Sequence, residues 1–401
     1  MTKIHIAIPA HDELAFLPQT IQSIFQAGKT DNIQVYICIN QIDSWWEDNS
    51  KQTICQANQT LWNQIEQLHN PQITLIDKFS KGNGWTDKKN GVGMARKLLI
   101  NNILQNCTSD DIIVNIDADT LIEKDYFSQL EYLFSTHKMS ALSVPYWHSL
   151  SGNEAQDKAM LRYEIYMRTY LINLLKINSP YSFTALGSNI VCTAKAYKAI
   201  GGFDTQQSGE DFYFLQKMAK YNPIALYCNK KVYPANRCSS RVPFGTGPAI
   251  QKGLLNDFKA YPIFAPQEFD NISLTYNILD DLFEKDIDTE MLSFLQQLFQ
   301  DKYFLTPLRK NSKTISQFKK AFHQKVDALR IFQYLRHRHS YTDEEALFLF
   351  FETYLPPFIH ILGKNFTFAK SSVTILEQIR QILWTEEEKL RLDFDKKNIY
   401  K

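Results

Sequence analysis

Short apolar runs and stretches of helical periodicity take turns along the first part of the chain. Residues 4–8 form an apolar run that stops at Pro9, and residues 14–27 repeat their apolar positions with a helical period until Gly28. Residues 33–39 read as the next strand, 51–69 as a helix and 73–76 as a third strand. Residues 91–105 read as a helix, 111–116 as a strand, 125–136 as a helix and 139–145 as a strand. Strands that alternate with helices predict an α/β domain with a mostly parallel sheet flanked by helices. Ligands of such sheets bind beyond the carboxyl ends of the strands. Pro9-Ala10-His11, Asn40-Gln41 and Asp117-Ala118-Asp119 are expected at that edge.

Further along, residues 155–177 place Met160, Leu161, Ile165, Leu171, Leu174 and Leu175 at the spacing of an amphipathic helix, after the capping pattern Ser151-x-x-Glu154. A helix is expected from Asp211 to about residue 220, and short strands over 224–233. From about Gln251 alternation gives way to helical periodicity, broken at Pro262, Pro266, Pro307 and Pro356-Pro357. Thr314-x-x-Gln317 and Thr342-x-x-Glu345 mark separate helix starts. We therefore expect one α/β domain over residues 1–250 and a mainly helical C-terminal region over 251–401. Residues 309–339 are basic; they read as a solvated helix face or as a surface for anionic lipid or an acidic acceptor.

Composition narrows the class. A chain of 401 residues is long enough for two or three domains, and 44% hydrophobic with 22% charged residues is the balance of a globular protein. A net charge of +1 leaves no electrostatic footprint for nucleic acid, so no nucleic-acid partner is expected. None of the six cysteines forms a Cys-x-x-Cys pair or a zinc spacing, and Cys38 and Cys192 lie in apolar runs as small core residues. That usage fits a reducing compartment. With no secretory pattern at the start and no run of about 18 uncharged apolar residues, a cytoplasmic location is expected, open to peripheral contact with the inner face of a membrane.

The chemistry concentrates where residues 112–119 read Ile-Ile-Val-Asn-Ile-Asp-Ala-Asp. An apolar strand that breaks into two carboxylates, Asp117 and Asp119, offers hard oxygen ligands suited to Mg²⁺ or Mn²⁺ held together with substrate phosphates. Alone, the same residues also suit a polar strand end followed by a turn. They stand in a series, however. Ile-Pro-Ala-His-Asp-Glu occupies 8–13, Gly-Val-Gly-Met-Ala-Arg-Lys 91–97, Asp-Ala-Asp 117–119, Gly-Gly-Phe-Asp 201–204 and Glu-Asp 210–211. In this order and spacing, residues 1 to about 245 resemble a family 2 glycosyltransferase of the GT-A fold.

The resemblance implies a nucleotide-binding half over about 1–120, an acceptor half over about 121–250, and a role for each motif. Asp119 would ligate the divalent cation, Mn²⁺ or Mg²⁺, against the donor diphosphate, with Asp117 on the ribose or in the metal's water shell. Asp211 would be the general base of a single displacement with inversion, and Glu210 would orient the acceptor or support the base. The plainer alternative for Glu210-Asp211 is an acidic helix N-terminus. Pro9, Ala10 and His11 would line the base and ribose; Glu13 matches the family pattern, while Asp12 stands where most relatives carry Asn. Asn40, Gln41 and Asp43 follow the second strand, and the two amides offer donors and acceptors for base recognition. Gly91, Gly93 and Arg96 fit the segment beneath the nucleotide, and Gly187 joins the donor-binding set. Arg237 and Arg241, in a loop with Gly245 and Gly247, suit diphosphate; a basic surface turn is the alternative.

Two departures from the family bear on mechanism. The first His after Asp211 is His323, so the further metal ligand of many GT-A enzymes is missing; either the metal has fewer protein ligands or Arg237 and Arg241 share its charge. No Trp lies between Trp147 and Trp384, so the Gln-x-x-Arg-Trp element of processive synthases is absent and one sugar per encounter is expected. A haloacid-dehalogenase-type phosphatase would carry Asp117-Ala118-Asp119 on its first strand. A sugar nucleotidyltransferase would want a basic glycine-rich loop over residues 9–17, and a non-catalytic sugar-nucleotide-binding protein would not need Asp119 and Asp211 intact. The reading that fits best is a metal-dependent inverting transferase for cell-surface glycan or glycolipid synthesis. Its donor would be a nucleotide sugar, UDP-linked by preference, and its acceptor a carbohydrate or lipid-linked hydroxyl. The helical region would shape the acceptor site, pair subunits as a homodimer, or touch a membrane.

Overall fold

Every residue of β1 (Ile4–Ala10) is buried, which a strand achieves only when both faces of its sheet are covered. The computed structural model describes residues 2–28, 31–205, 209–238 and 245–400. In chain order β1 is followed by α1 (Leu17–Gln26), β2 (Ile33–Asn40), α2 (Gln52–Glu66), β3 (Ile73–Lys78), α3 (Val92–Ile103), β4 (Ile112–Asn115) and β5 (Thr120–Ile122). Then come α4 (Tyr126–His137), β6 (Ala141–Ser143), α5 (Glu154–Lys176), β7 (Ile190–Thr193), α6 (Ala194–Ala199), α7 (Glu210–Tyr221) and β8 (Val232–Pro234).

The main sheet has the order β3-β2-β1-β4-β7-β6. β1 to β4 run parallel, in the register Ile4 beside Ile33 and Ile112, while β7 runs antiparallel to both β4 and β6. This is the expected mostly parallel, helix-flanked α/β sheet. Two strands went unforeseen. β7 is a four-residue run that enters α6 at once, with the Thr193 hydroxyl capping that helix at the N–H of Ala196, so it has no alternation of its own to read. β5 and β8 form a separate antiparallel pair, Thr120 opposite Pro234 and Ile122 opposite Val232. Of the strands expected over 224–233 only β8 forms; Ala225 makes an isolated bridge to Leu142.

Local signals set the helix ends. α1 starts with proline in its first turn and buries Leu17, Thr20, Ile21 and Ile24, one helical face. Asn153 rather than Ser151 caps α5, its Oδ1 accepting from the N–H of Gln156 at 3.1 Å. Thr342 and Glu345 form the expected reciprocal capping box, whereas Gln317 reaches the N–H of Lys313 instead of that of Thr314.

The chain divides into two compact units, 1–156 with 183–251 and 395–401, and 157–182 with 252–394. The expected division was a single one near 250. Residues 157–182 leave the first group because α5 is no one-faced amphipathic helix: Arg162, Glu164 and Arg168 are buried as fully as Leu161 and Ile165. Within the second unit Arg168 meets Glu387 at 2.7 Å, Arg380 meets Glu164 at 3.2 Å and Arg391 meets Glu387 at 2.7 Å, all out of contact with water. Around these charges Leu161, Ile165, Ile172, Ile263, Phe350 and Ile379 form an apolar core. In the first unit Asp395 accepts from the backbone N–H groups of Leu226 and Tyr227 at 3.0 and 2.8 Å, fastening the chain end. Among the described residues no helix is long and apolar enough to cross a membrane. Cys38 and Cys192 are core residues with no exposure.

Candidate active site

β4 leaves its ladder at Ile116, whose N–H still reaches Ala7, and the chain turns at once, with the N–H of Thr120 donating to the carbonyl of Asp117 at 3.1 Å. Asp117 and Asp119 therefore flank a tight turn at the carboxyl edge of the sheet. The Thr20 hydroxyl on α1 holds the carbonyl of Ala118 at 2.9 Å and fixes the turn from below. Because β5 pairs with β8, the residues after β8 are carried back to the same turn, and the N–H of Ala235 donates to the carbonyl of Asp119 at 3.2 Å.

Two arginines organise the acids. Arg96 on α3 is buried and gives Nη2 to Asp117 and Nε to Glu210 at 3.2 Å. Its Nη1 is buried with no hydrogen-bond partner among the described residues. The other carboxylate oxygen of Asp117 accepts from Ser188 Oγ at 2.7 Å, which in turn meets Thr120 Oγ1 at 2.7 Å. Gly187 makes this approach possible. A Cβ there would collide with Arg96 Nη2 and lie 2.9 Å from an Asp117 oxygen. Arg237 forms the second pair of contacts: Nε to Asp119 Oδ2 at 2.6 Å and Nη2 to Glu13 Oε1 at 2.6 Å, with its guanidinium 4.6 Å from the Phe16 ring.

Glu210 and Asp211 open α7 behind Gly209, which sits in the left-handed region at φ 74°. Both favour a helix N-terminus, as the plain reading requires, but they also share charge with the strand-end acids. Burial, then the neighbouring Asp211, pushes the Glu210 carboxyl up to about 7, against the pull of Arg96. Burial also raises Asp211, opposed by the N–H of Phe212 and by Arg96. Burial opposes the charge of Arg96, but the charges of Asp117, Glu210 and Asp211 outweigh it and hold the guanidinium above its ordinary range. The Gly-Gly-Phe-Asp motif supports this arrangement rather than joining it. Phe203 stacks on Phe214 of α7 at 4.1 Å and lies 5.9 Å from the Arg96 guanidinium, and Asp204 pairs with Lys217 at 3.0 Å.

The first half-sheet presents its candidates differently. Pro9 and Ala10 end β1 buried, and His11 Nδ1 meets the Asn40 carbonyl at 2.9 Å with its ring 5.2 Å from Trp45. Asn40 and Gln41 do not turn their amides outward for base recognition. Asn40 donates to the Ala10 carbonyl at 2.8 Å and accepts from Trp85 Nε1, while Gln41 donates to Cys55 Sγ and accepts from Asn58. Both are buried because they tie the strand end to its neighbouring loops. Asp43 accepts from the N–H groups of Gly82 and Gly84 at 2.7 and 3.3 Å, ordering the turn beside it. Gly91 caps α3 at φ 108°, leaving the helix free to present Arg96. Arg241 lies outside the described residues. Ser188, Thr120, Thr20 and Phe16 belong to the site without having been foreseen; a serine after a glycine and a phenylalanine at a helix start carry no chemical signal of their own.

Among the described residues no group of three or more His, Cys, Asp or Glu side chains is arranged to hold a metal ion. The carboxylates of Asp117 and Asp119, the expected metal ligands, each meet an arginine.

Residues 112–254, a stretch that begins with β4 and includes β8, match the family model described as glycosyl transferase family group 2. No curated protein matches the chain. Among solved structures, the chain is similar to residues 1–349 of S. aureus TarS at 12% identity and TM-score 0.41, covering 100% of this chain and 93% of that one. It is similar to the mannosyltransferase PcManGT of Pyrobaculum calidifontis, solved with GDP-Man and Mn²⁺, at 13% identity and TM-score 0.42, covering 99% and 86%. A third similarity is to GalNAc-T7 solved with UDP, GalNAc and Mn²⁺, at 11% identity and TM-score 0.40, covering 81% and 57%. Likeness at this level does not bear on donor or acceptor.

Proposed function

We propose, on the premise that residues 112–254 match the model of glycosyl transferase family group 2, that the chain is an inverting glycosyltransferase that moves one sugar from a nucleotide sugar to an acceptor hydroxyl. The observation that carries the reading is the chain of contacts Asp117–Arg96–Glu210, in which Arg96 joins a strand-end acid to the start of α7, 114 residues further along than the arginine itself. A binding module has no need to link a strand-end acid to a buried acid pair.

Asp211 is the base. Its raised proton affinity suits it to take the hydroxyl proton as the acceptor oxygen bonds to the anomeric carbon and the bond from that carbon to the diphosphate oxygen breaks. Glu210, held by Arg96, positions that end of the cleft. Arg237 is the diphosphate ligand, since a guanidinium meets phosphate oxygens in pairs.

The residues fit a divalent cation of the Mn²⁺ or Mg²⁺ type. Carboxylates outnumber guanidiniums in the site, and such ions take one or two carboxylates and complete their shell with substrate phosphate. Asp119 would hold it, with Asp117 nearby. When bound, it neutralises charge on the departing diphosphate. UDP is the preferred carrier, and the acceptor is a carbohydrate or lipid-linked hydroxyl of cell-surface glycans or glycolipids.

Thermal-shift measurements with UDP-, GDP- and dTDP-sugars, with and without Mn²⁺, test the proposal. A nucleotide-sugar shift that needs Mn²⁺ and is lost in Asp119→Ala supports it; no shift with any donor sinks it.

A further inference from the structure

Arg237 pairs with Asp119, the carboxylate assigned to the divalent cation in the function proposed above. Its Nε lies 2.6 Å from Asp119 Oδ2, its Nη2 lies 2.6 Å from Glu13 Oε1, and Phe16 covers one face of the guanidinium. The Glu13 and Asp119 side chains are only 6% and 14% exposed, so leaving both charged and bare would be costly. Arg237, which touches both carboxylates and lies against the Phe16 ring, offsets part of that cost before any ligand arrives.

We propose that Arg237 is the built-in counter-ion of this site, which a donor diphosphate must draw away from Asp119 before the cation can bind there. The inference rests on the nucleotide-sugar reading above. A diphosphate offers the guanidinium a bidentate partner of greater charge than one carboxylate, and the exchange leaves the Asp119 oxygen to the cation. Donor and cation then bind with positive coupling, and the cation alone binds weakly.

Mn²⁺ binding, read from the electron paramagnetic resonance signal of the free aquo-ion, tests this on the full chain without turnover. Without nucleotide, Arg237→Gln binds one Mn²⁺ more tightly than wild type by roughly tenfold or more, and the added Asp119→Asn change removes that gain. UDP tightens Mn²⁺ binding to wild type by a similar factor and has much less effect in Arg237→Gln. Equal Mn²⁺ affinities for wild type and a folded Arg237→Gln overturn the inference. Should that variant not fold, wild type alone decides: Mn²⁺ affinity unchanged by UDP that itself binds also overturns it. If neither UDP nor GDP binds, the donor reading falls, and the comparison of the two proteins with Mn²⁺ still decides the place of Arg237.

Discussion

Replacing Glu210 by Gln separates a site acid from an ordinary helix N-terminus. Glu210 is 5% exposed, and burial with the adjacent Asp211 lifts its carboxyl from 4.5 to about 7. Below that window both folded and unfolded chains hold the proton. Between the two values the folded chain keeps a proton that the unfolded chain has released, so stability from this group falls as pH rises, and above about 7 it is level. At about 1.4 kcal/mol per decade of proton affinity, the wild type loses about 3 kcal/mol across the window. Glutamine keeps the shape and an acceptor for Arg96 Nε but cannot titrate. Urea denaturation of both proteins from about pH 4.5 to 8 should therefore show the wild type falling relative to Glu210→Gln by about that amount, then running parallel. The acids titrate as a pair, so the fall belongs to the pair's apparent proton affinity. Parallel curves throughout, or a wild type that gains with pH, would refute the claim that Glu210 is a buried acid held beside Asp211. A solvated helix-start carboxylate gives one or the other.

Further predictions concern the rest of the site and the second unit. Asp211→Asn keeps nucleotide-sugar binding in the thermal-shift assay but lowers transfer by roughly 10²–10⁴-fold, and normal turnover would remove Asp211 from the mechanism. Gly187→Ala, at an ordinary backbone angle, forces a Cβ between Arg96 and Asp117 and should cost about 1–3 kcal/mol in denaturant unfolding and weaken donor binding; a neutral result would mean the ion pair has room to spare. Glu387→Ala removes the acceptor that Arg168 and Arg391 share and should lower stability by about 3–5 kcal/mol in denaturant unfolding.

Local sequence determined the elements and where they end. Apolar runs at β1, β2 and β4 are strands because nothing else buries them on both faces, and the break from Ile116 to Asp117 marks a strand end because carboxylates do not continue into a core. The Glu210-Asp211 pair at the start of α7 is legible for a similar local reason. Tertiary structure decided which distant residues meet. The antiparallel insertion of β7 beside β4 sets Gly187 and Ser188 against Asp117, and the β5–β8 pair returns Arg237 to Asp119 and to Glu13, 224 residues away. It also turned Asn40 and Gln41 inward, because their amides found the backbone and side chains of neighbouring loops before any base could. Periodicity and burial are properties of a few consecutive residues and can be read from them. The partner of a charge depends on which strands become neighbours, and that is settled only when the whole sheet closes its hydrogen bonds.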